Sequence, residues 1–403
     1  MPKPDIAQVH GDYSAQWQPV ADVFAQNVLE RGDDGAACTI YQSGRPVLSL
    51  WGGHADKACK EAWQQDTLVN VFSAAKPILA WAVLDLAARG KLDLDAPVAE
   101  YWPEFAGQGK QGISTRMLLG HRAGLPALEQ PVADELIYDW QAMITELAAQ
   151  SPTWEPGTAV GYHVFTFGWL LGEVVARVSG IPIAEFVEQR LRQGHNIDLC
   201  FGVADDDLPR VADVEPYLKA GEKQRRAEKR AQLATGVSGA RRRPEWQDTT
   251  FFKAFHNPPT LAWGTNGLAW RQAVIPGGNG HASGGALARF YGLLVSGEDL
   301  LPASMLDHCR DELSSGKDRV LGLPARFSHG FMLSDPQGLF NLGIEAECFG
   351  HAGAGGSLGF ADPQQELGFS YVTRHISKGM MGDRRANKLI AAAYGCLGES
   401  LAS

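Results

Sequence analysis

The sequence lacks several features that assign a protein to a class at once. No stretch reaches the roughly 18 consecutive apolar residues of a membrane-spanning helix, and the first residues, MPKPDIAQVHGDYSAQW, contain no apolar run of the kind that a secretory signal needs. Positive charge is not in excess either, because the formal net charge is -10. We therefore expect a cytoplasmic protein that binds neither nucleic acid nor membranes.

Grouped cysteines and metal-binding patterns are also missing. The six cysteines occur singly, without the close spacing of a disulfide framework or a zinc site. There is no H-E-x-x-H pattern, and the glycine-rich PGGNGHASGG lacks the G-K-[ST] ending of a phosphate-binding loop. We predict reduced, mostly buried thiols and no metal or other cofactor. We interpret Asn279 and His281, in the glycine-rich segment, as loop residues at the edge of a cleft.

The composition is that of a folded globular protein. The chain has 403 residues, of which 45% are hydrophobic and 20% are charged, enough for two or three domains or for one large fold with an inserted lobe. Both ends predict an antiparallel sheet covered by helices. Near the N-terminus a helix precedes two strands that turn at Ser43 and Gly44, and near the C-terminus two strands turn at Asp362 and Pro363 before a closing helix.

The middle of the chain differs from its ends. Helix-like segments such as FTFGWLLGEVVARVSG follow one another there, separated by Pro and Gly. We therefore predict an α+β fold in which residues 1–90 and 260–403 form one α/β lobe and residues 91–259 form an inserted, mainly helical lobe. The basic segment 218–243 predicts a solvated helix or a surface loop, because the surrounding chain is acidic.

Two serines are candidates for a catalytic nucleophile, and the first is Ser357. In HAGAGGSLGF it occupies a G-x-S-x-G pattern, which in many esterases marks a serine on a tight turn from a strand into a helix. The residues that follow, LGFADPQQELGFSYV, predict strands instead, and His375 is the only histidine downstream. We therefore assign no catalytic role to Ser357.

The second candidate is Ser73, which begins the S-x-x-K pattern SAAK with Lys76. The preceding LVNVF predicts a short buried strand, and the following residues predict a helix that stops at Gly90. Ser73 then stands at the helix N-terminus, where free backbone N–H groups and the helix dipole stabilise a developing negative charge. A second S-x-x-K match, from Ser314 to Lys317, lies in a predicted loop and lacks this context.

Lys76 has the sequence context of a buried lysine. It shares a helix face with Ser73, and it is the only charged residue between Val71 and Leu84. A helix that is apolar on nearly all sides is buried, and burial lowers the pKa of a lysine toward values at which the amine accepts a proton. The alternative is a lysine whose side chain extends from the helix start to water.

These segments resemble the serine β-lactamase and penicillin-binding protein superfamily, in which S-x-x-K opens a buried helix between an α/β lobe and a helical lobe. The resemblance runs in order through VFSAAKPILAWAVLDL, LLGHRAGLP, PGTAVGYHVFTFGWLLGEV, GHASGGALARFYGLL and FGHAGAGGSLGF. Within the superfamily the chain is similar to the class C-like branch, which includes the family VIII carboxylesterases.

The resemblance implies a partner for the lysine. The position that matches the Y-x-N motif of the family is Tyr162, which would share the proton transfer with Lys76. A phenol beside a lysine cation has a lowered pKa, so we expect a hydrogen-bonded pair that takes the proton of Ser73 and returns it to the leaving group.

The third motif of the family, K-T-G, matches the residues HAG that begin at His351. The resemblance implies that His351 hydrogen-bonds Tyr162 or the substrate and that Gly353, which ends the motif, supports the site. It also implies an oxyanion hole made of the backbone N–H groups of Ser73 and Ala354.

Two departures from the family bear on the substrate. Val164 stands where the family has an Asn that holds the amide side chain of β-lactams, and His351 stands where a Lys favours their carboxylate. An apolar ester needs neither anchor. Trp263 and Trp270, in TLAWGTNGLAW, either form apolar walls of the site or belong to the core.

Together these residues predict a serine hydrolase that cleaves small carboxylic esters without a cofactor. Ser73 attacks the carbonyl, Lys76 and Tyr162 move the proton, and water or another alcohol releases the acyl-enzyme. The alternatives are a β-lactamase, D-amino-acid peptidase or acyltransferase of the same fold, and a catalytically silent ligand-binding protein. The expected partner is a small-molecule ester, and the sequence leaves the oligomeric state open.

Overall fold

The computed structural model describes residues 8–30, 32–216, 249–258, 264–297, 300–335, 341–377 and 382–398. Trp263 and the basic segment 218–243 lie outside these residues. In the part of the chain that is described, no helix is both long and apolar enough to cross a membrane. The six cysteines all fall within it, and each is a free thiol, buried or partly buried, as their scattered spacing predicts.

A nine-stranded antiparallel sheet forms the centre of the fold. Its strands in spatial order are β1 (Val9–Tyr13), β3 (Arg45–Gly52), β2 (Ala36–Gln42), β13 (Leu367–Thr373), β12 (Leu358–Asp362), β11 (Phe349–Ala352), β10 (Met332–Leu333), β9 (Pro324–Phe327) and β8 (Ser314–Lys317). Three of these strands come from the beginning of the chain and six from its end. The two groups meet where β2 pairs with β13, so both ends of the chain build one sheet.

Both predicted turns are present. Ser43 and Gly44 connect β2 to β3 with φ values of 48° and 74°, the left-handed geometry of a tight hairpin. Between β12 and β13, Asp362 Oδ1 accepts hydrogen bonds from Gln364 N at 2.9 Å and from Gln365 N at 3.2 Å. The side chain of Asp362 therefore closes that turn.

Helices cover both faces of the sheet. On one face, α1 (Gln18–Leu29) and α12 (Arg384–Cys396) pack against each other. On the other face, α10 (Gly284–Val295) lies across β2, β12 and β13. A Cβ atom added to Gly368 would lie 2.2 Å from Gly292 N, so the close approach of α10 to the sheet requires glycine.

The chain between the two ends is mainly helical. Its helices are α3 (Val98–Tyr101), α4 (Thr115–Leu119), α5 (Trp140–Ala149), α6 (Thr166–Ser179), α7 (Ile183–Val187), α8 (Thr250–His256) and α9 (Leu268–Gln272). One strand from this part, β5 (Leu199–Phe201), joins β4 (Val69–Asn70) and β7 (Gly280–Ala282) in a small separate sheet. The other strands and α-helix are β6 (Glu215–Pro216), β14 (His375–Ile376) and α11 (Ala303–Arg310).

The helix α2 (Lys76–Ala88) is enclosed by protein. Every residue from Lys76 to Leu86 is buried, and α2 packs against α6 and contacts β11. Gly90, with a φ of 66°, follows its last turn and ends it as predicted. The N-terminal residues of α2 therefore lie inside the molecule, between the helical part and the sheet.

Candidate active site

Ser73 lies on a tight turn between a strand and a helix. β4 ends at Asn70, a single 3-10 turn begins at Phe72, and α2 begins at Lys76 with Pro77 in its first turn. The strand and the helix agree with the prediction. Phe72 has a φ of 51°, a strained conformation for an aromatic residue. The Asn70 side chain stabilises the turn by accepting a hydrogen bond from Phe72 N at 3.0 Å.

The amine of Lys76 faces Ser73 and is fully buried. Nζ donates hydrogen bonds to Ser73 Oγ at 3.0 Å and to Gly277 O at 2.6 Å. Burial lowers the pKa of Lys76 well below its usual value of 10.5, because the charged form loses its hydration. The side chain therefore does not extend to water. In its uncharged form the amine can accept a proton from the Ser73 hydroxyl across the same contact.

Tyr162 approaches the same hydroxyl from the loop before α6. Its ring stacks on Phe327, with centroids 6.0 Å apart and 5° between the planes, and Lys76 Nζ is 5.0 Å from the ring centre. The Tyr162 hydroxyl is 3.3 Å from His351 Nε2, and Tyr162 lines the same cavity as Ser73. The structure thus brings the predicted residues Ser73, Lys76, Tyr162 and His351 together.

The expected pKa shift of Tyr162 is wrong. Burial raises the pKa of this phenol above its usual value of 10.0, and the nearby Asp318 carboxylate raises it further, although the neighbouring Ser73 side chain opposes the shift. The expectation considered only the neighbouring lysine, whereas the burial of the phenol itself is the largest cause of the shift. Tyr162 is therefore a protonated phenol that can donate a proton.

Residues that the sequence reasoning missed hold Tyr162 in place. Tyr162 N donates to Asp318 Oδ2 at 2.8 Å. The neighbouring His163 N donates to His121 Nδ1 at 3.1 Å, and His163 Nε2 accepts from Leu125 N at 3.0 Å. His121 lies in LLGHRAGLP, a segment that carries the resemblance, so that motif was the available signal for it. Asp318 stands 156 residues from Tyr162 and has no comparable signal.

His351 is an uncharged acceptor for Tyr162. Burial lowers the pKa of His351 to about 3. Its Nδ1 is 2.7 Å from Ala352 O, which makes Nδ1 the nitrogen that carries the proton and leaves Nε2 to accept from the Tyr162 hydroxyl. The contact between His351 and Tyr162 agrees with the expectation.

The loop after β11 lies against the Ser73 turn. A Cβ atom on Gly353 would lie 2.2 Å from Val71 O, so the approach requires glycine at this position. The next residue, Ala354, lines the same cavity as Ser73. This placement is compatible with an oxyanion hole formed by the backbone N–H groups of Ser73 and Ala354, which stays a prediction.

A cavity of about 270 Å³ opens at Ser73. Its walls are mostly apolar and aromatic, and none of the lining residues that the structure describes is Lys, Arg, Asp or Glu. The walls include Val164, Phe165, Phe255, Leu321 and Ile376. Val164, which replaces a polar anchor of the family, therefore contributes to an apolar surface beside the nucleophile.

Other residues singled out in the sequence do not reach this cavity. Trp270 is part of the core and meets Phe165 edge-on, with centroids 6.4 Å apart. Asn279 and His281 are buried, so the expectation that they edge the cleft is wrong. Asn279 Nδ2 instead donates to Trp270 O at 2.8 Å and Ala273 O at 2.6 Å, which fixes the turn before β7, and His281 lies within that strand.

The hydrogen bonds of the two competing serines, Ser357 and Ser314, are formed with the protein backbone. Ser357 is buried, its Oγ accepts a hydrogen bond from Thr373 N at 3.2 Å, and β12 begins at the next residue, so the helix of a nucleophile turn is missing. Ser314 donates to Gly120 O at 2.7 Å. The loop predicted around Ser314 is wrong, because the residues SSGK form the edge strand β8. That strand has no apolar alternation that the sequence could reveal.

One group of described residues has the ligand types of a metal site. Asp34, His54 and Cys59 place their ligand atoms within 4.8 Å of one another, without any motif in the sequence. His54 Nδ1 is 2.6 Å from Asp34 Oδ1, and Arg374 Nη2 is 3.9 Å from Asp34 Oδ2. Asp34 is thus already paired with protein groups, and the cluster contributes nothing to the cavity at Ser73.

Comparison with known proteins decides the family. The family model described as Beta-lactamase matches residues 20–394. The chain belongs to the β-lactamase family. It is 32% identical over 386 residues to Esterase/beta-lactamase LipL of Mycobacterium tuberculosis (strain ATCC 25618 / H37Rv), an alignment that covers 93% of this chain and 85% of that protein. The motif-based resemblance is thereby confirmed, and the protein is a serine hydrolase of this superfamily.

Solved structures of the β-lactamase family share the fold. The chain is similar to a family VIII carboxylesterase, with a TM-score of 0.84 and 33% identity over 96% of this chain and 100% of that one. It is equally similar to a penicillin-binding protein homologue from Caulobacter crescentus, with a TM-score of 0.84 and 31% identity over 96% and 100% of the two chains. The predicted α+β fold of this superfamily is confirmed.

Proposed function

We propose that this β-lactamase-family protein is a carboxylesterase that works through an acyl-enzyme on Ser73. The observation that carries the proposal is the fully buried Lys76 amine, 3.0 Å from the Oγ of Ser73, a residue that lines an apolar cavity. A serine hydroxyl is a weak nucleophile until an adjacent base removes its proton. The lowered pKa of Lys76 supports its role as that base.

The reaction begins with attack on the ester carbonyl. Ser73 Oγ bonds to the carbonyl carbon while its proton passes to Lys76 Nζ, and the carbonyl oxygen becomes an oxyanion held by the backbone N–H groups of Ser73 and Ala354. The intermediate collapses when the leaving alcohol receives a proton from Tyr162, and Lys76 then returns a proton to Tyr162. Water repeats these steps in deacylation and releases the acid.

The character of the cavity supports an uncharged substrate. Val164 and His351 stand where the superfamily has polar anchors for β-lactams, and His351, with a pKa of about 3, carries no positive charge to attract a carboxylate. The names of the relatives point in two directions, because one is an esterase/beta-lactamase and one solved structure is a penicillin-binding protein homologue. The second candidate function is therefore that of a β-lactamase or a D-amino-acid peptidase.

Adduct mapping tests the nucleophile and turnover tests the substrate class. After reaction with a fluorophosphonate, peptide mass spectrometry should find the adduct on Ser73, and Ser73→Ala should abolish labelling. An adduct on Ser357 would refute the proposed mechanism. Short p-nitrophenyl esters should be hydrolysed much faster than a chromogenic cephalosporin, and the reverse order would favour the β-lactamase. An added alcohol that forms a new ester would identify acyl transfer, and absence of both turnover and labelling would indicate a silent binding protein.

A further inference from the structure

The helix α8 supplies one wall of the cavity at Ser73. Phe251, Phe255 and His256 all line that cavity, and the rings of Phe251 and Phe255 lie 4.8 Å apart. The neighbouring Phe252 contacts His256 in a tilted arrangement, with ring centroids 4.7 Å apart, but is not among the lining residues. A helix of seven residues thus presents three rings to the space beside the nucleophile.

Polar contacts fix α8 to the loop that runs from residue 128 to 132. Lys253 Nζ and Glu129 Oε2 form an ion pair at 2.6 Å. Just after the helix, Asn257 Nδ2 donates to Leu128 O at 2.9 Å and to Gln130 O at 2.7 Å, while its Oδ1 accepts from Val132 N at 3.1 Å. A side-chain amide that hydrogen-bonds three backbone groups fixes the end of α8 in one position. The rings of α8 are therefore held in place beside the cavity.

Lining residues from outside α8 are also apolar. Phe72, Phe165 and Leu321 line the cavity with the α8 residues. Burial lowers the pKa of His256, so this ring is also uncharged at neutral pH. Several aromatic rings along one cavity favour a flat apolar group in it, because aromatic rings stack or meet edge-on at short distances. A group as small as a methyl leaves most of about 270 Å³ unfilled.

We propose that α8 determines the substrate class, and that the site is built for esters that carry an uncharged apolar group of phenyl size. This inference rests on the proposed esterase function and deepens it. The group belongs either to the acyl part or to the alcohol part of the ester, and its chemistry is the same in both. Burial of a phenyl-sized group against these rings is expected to raise kcat/KM roughly 10- to 100-fold over an ester that lacks it.

Three esters and two variants test the inference. Ethyl acetate is the reference, ethyl phenylacetate adds the ring to the acyl part, and benzyl acetate adds it to the alcohol part, with hydrolysis followed by pH-stat titration. The wild-type enzyme should prefer one of the aromatic esters at least tenfold. Phe255→Ala should remove most of that preference, because it takes away a ring that lines the cavity. Phe252→Ala removes the same ring from the same helix outside the cavity, and should keep the preference.

The outcomes separate the two proposals. Hydrolysis of all three esters at similar kcat/KM, or a preference that survives in Phe255→Ala, would overturn the inference and leave the esterase proposal standing. Failure of the wild-type protein to hydrolyse any of them would refute both. Thermal melting shows whether Phe255→Ala folds, and if it does not, Phe255→Leu serves the same purpose: it should reduce the preference by a smaller factor, and an unchanged preference would overturn the inference.

Discussion

Replacement of Lys76 by methionine is the sharpest test of the proposed base. Methionine has a similar length and is apolar, so it fits the completely buried site that Lys76 occupies. It cannot take the proton of Ser73, and general base catalysis typically contributes 10²- to 10⁴-fold in rate. Because base and nucleophile act as a unit, we expect acylation to fall at least about 1000-fold.

The same substitution should leave the fold intact. The Gly277 carbonyl loses its 2.6 Å hydrogen bond from Lys76, and a buried acceptor without a partner costs about 1–3 kcal/mol. The cost of burying an amine disappears in return. The two effects oppose each other, so the free energy of unfolding at pH 7 should change by less than about 2 kcal/mol.

The dependence of stability on pH gives this prediction a second readout. The folded pKa of Lys76 is depressed far below the usual 10.5, so between the two values the unfolded chain binds one proton more than the folded chain. Stability then rises with pH by about 1.4 kcal/mol per unit across that window and levels off above the unfolded pKa. Denaturant titrations between pH 8 and pH 10 should show a smaller slope in Lys76→Met than in the wild-type protein.

Stopped-flow measurement of p-nitrophenol release determines the acylation rate. In the wild-type enzyme that rate should fall on the acid side as Lys76 takes up a proton. His351→Gln is the control, because His351 has a pKa of about 3 and the acid limb should survive its removal. Acylation in Lys76→Met within a few-fold of the wild-type rate, or an acid limb that vanishes in His351→Gln, would refute the assignment of the base.

Two further substitutions separate the roles of neighbouring groups. Tyr162→Phe keeps the ring that stacks on Phe327 and removes the proton donor, so kcat should fall about 10²- to 10³-fold with little change in melting temperature; a loss of less than threefold would show that Tyr162 does not carry the proton. Ser357→Ala removes the acceptor for Thr373 N and should lower the free energy of unfolding by about 1–3 kcal/mol. Steady-state kinetics should show activity within about threefold of wild type. A loss of activity comparable to that in Ser73→Ala would contradict the structural role of Ser357.

Features carried by neighbouring residues could be predicted from the sequence. The pairing of Ser73 with Lys76 depends on helical spacing. The burial of Lys76 follows from the absence of any other charged residue between Val71 and Leu84. The hairpin at Ser43 follows from turn chemistry. The choice against Ser357 follows from the strand pattern after it.

Features that depend on the environment in space could not be predicted in this way. The sign of the pKa shift at Tyr162 is set mainly by the burial of its own phenol, which the local sequence does not report. The carboxylate of Asp318 and the wall made by α8 come from segments far from Ser73 in the chain. No periodicity in those segments identifies the side chains that they contact.

Because β2 pairs with β13, the central sheet cannot be completed until the end of the chain has been synthesised. Asp33, just before β2, hydrogen-bonds Tyr371 in β13, and these residues are 338 positions apart. At about 5–20 residues per second, tens of seconds of translation separate them. Until then the hairpin of β2 and β3 has an open edge, which is a template for wrong pairing. A nascent chain that stops short of β13 cannot complete the central sheet. The sheet of a ribosome-bound chain therefore stays incomplete until the last part of the chain emerges.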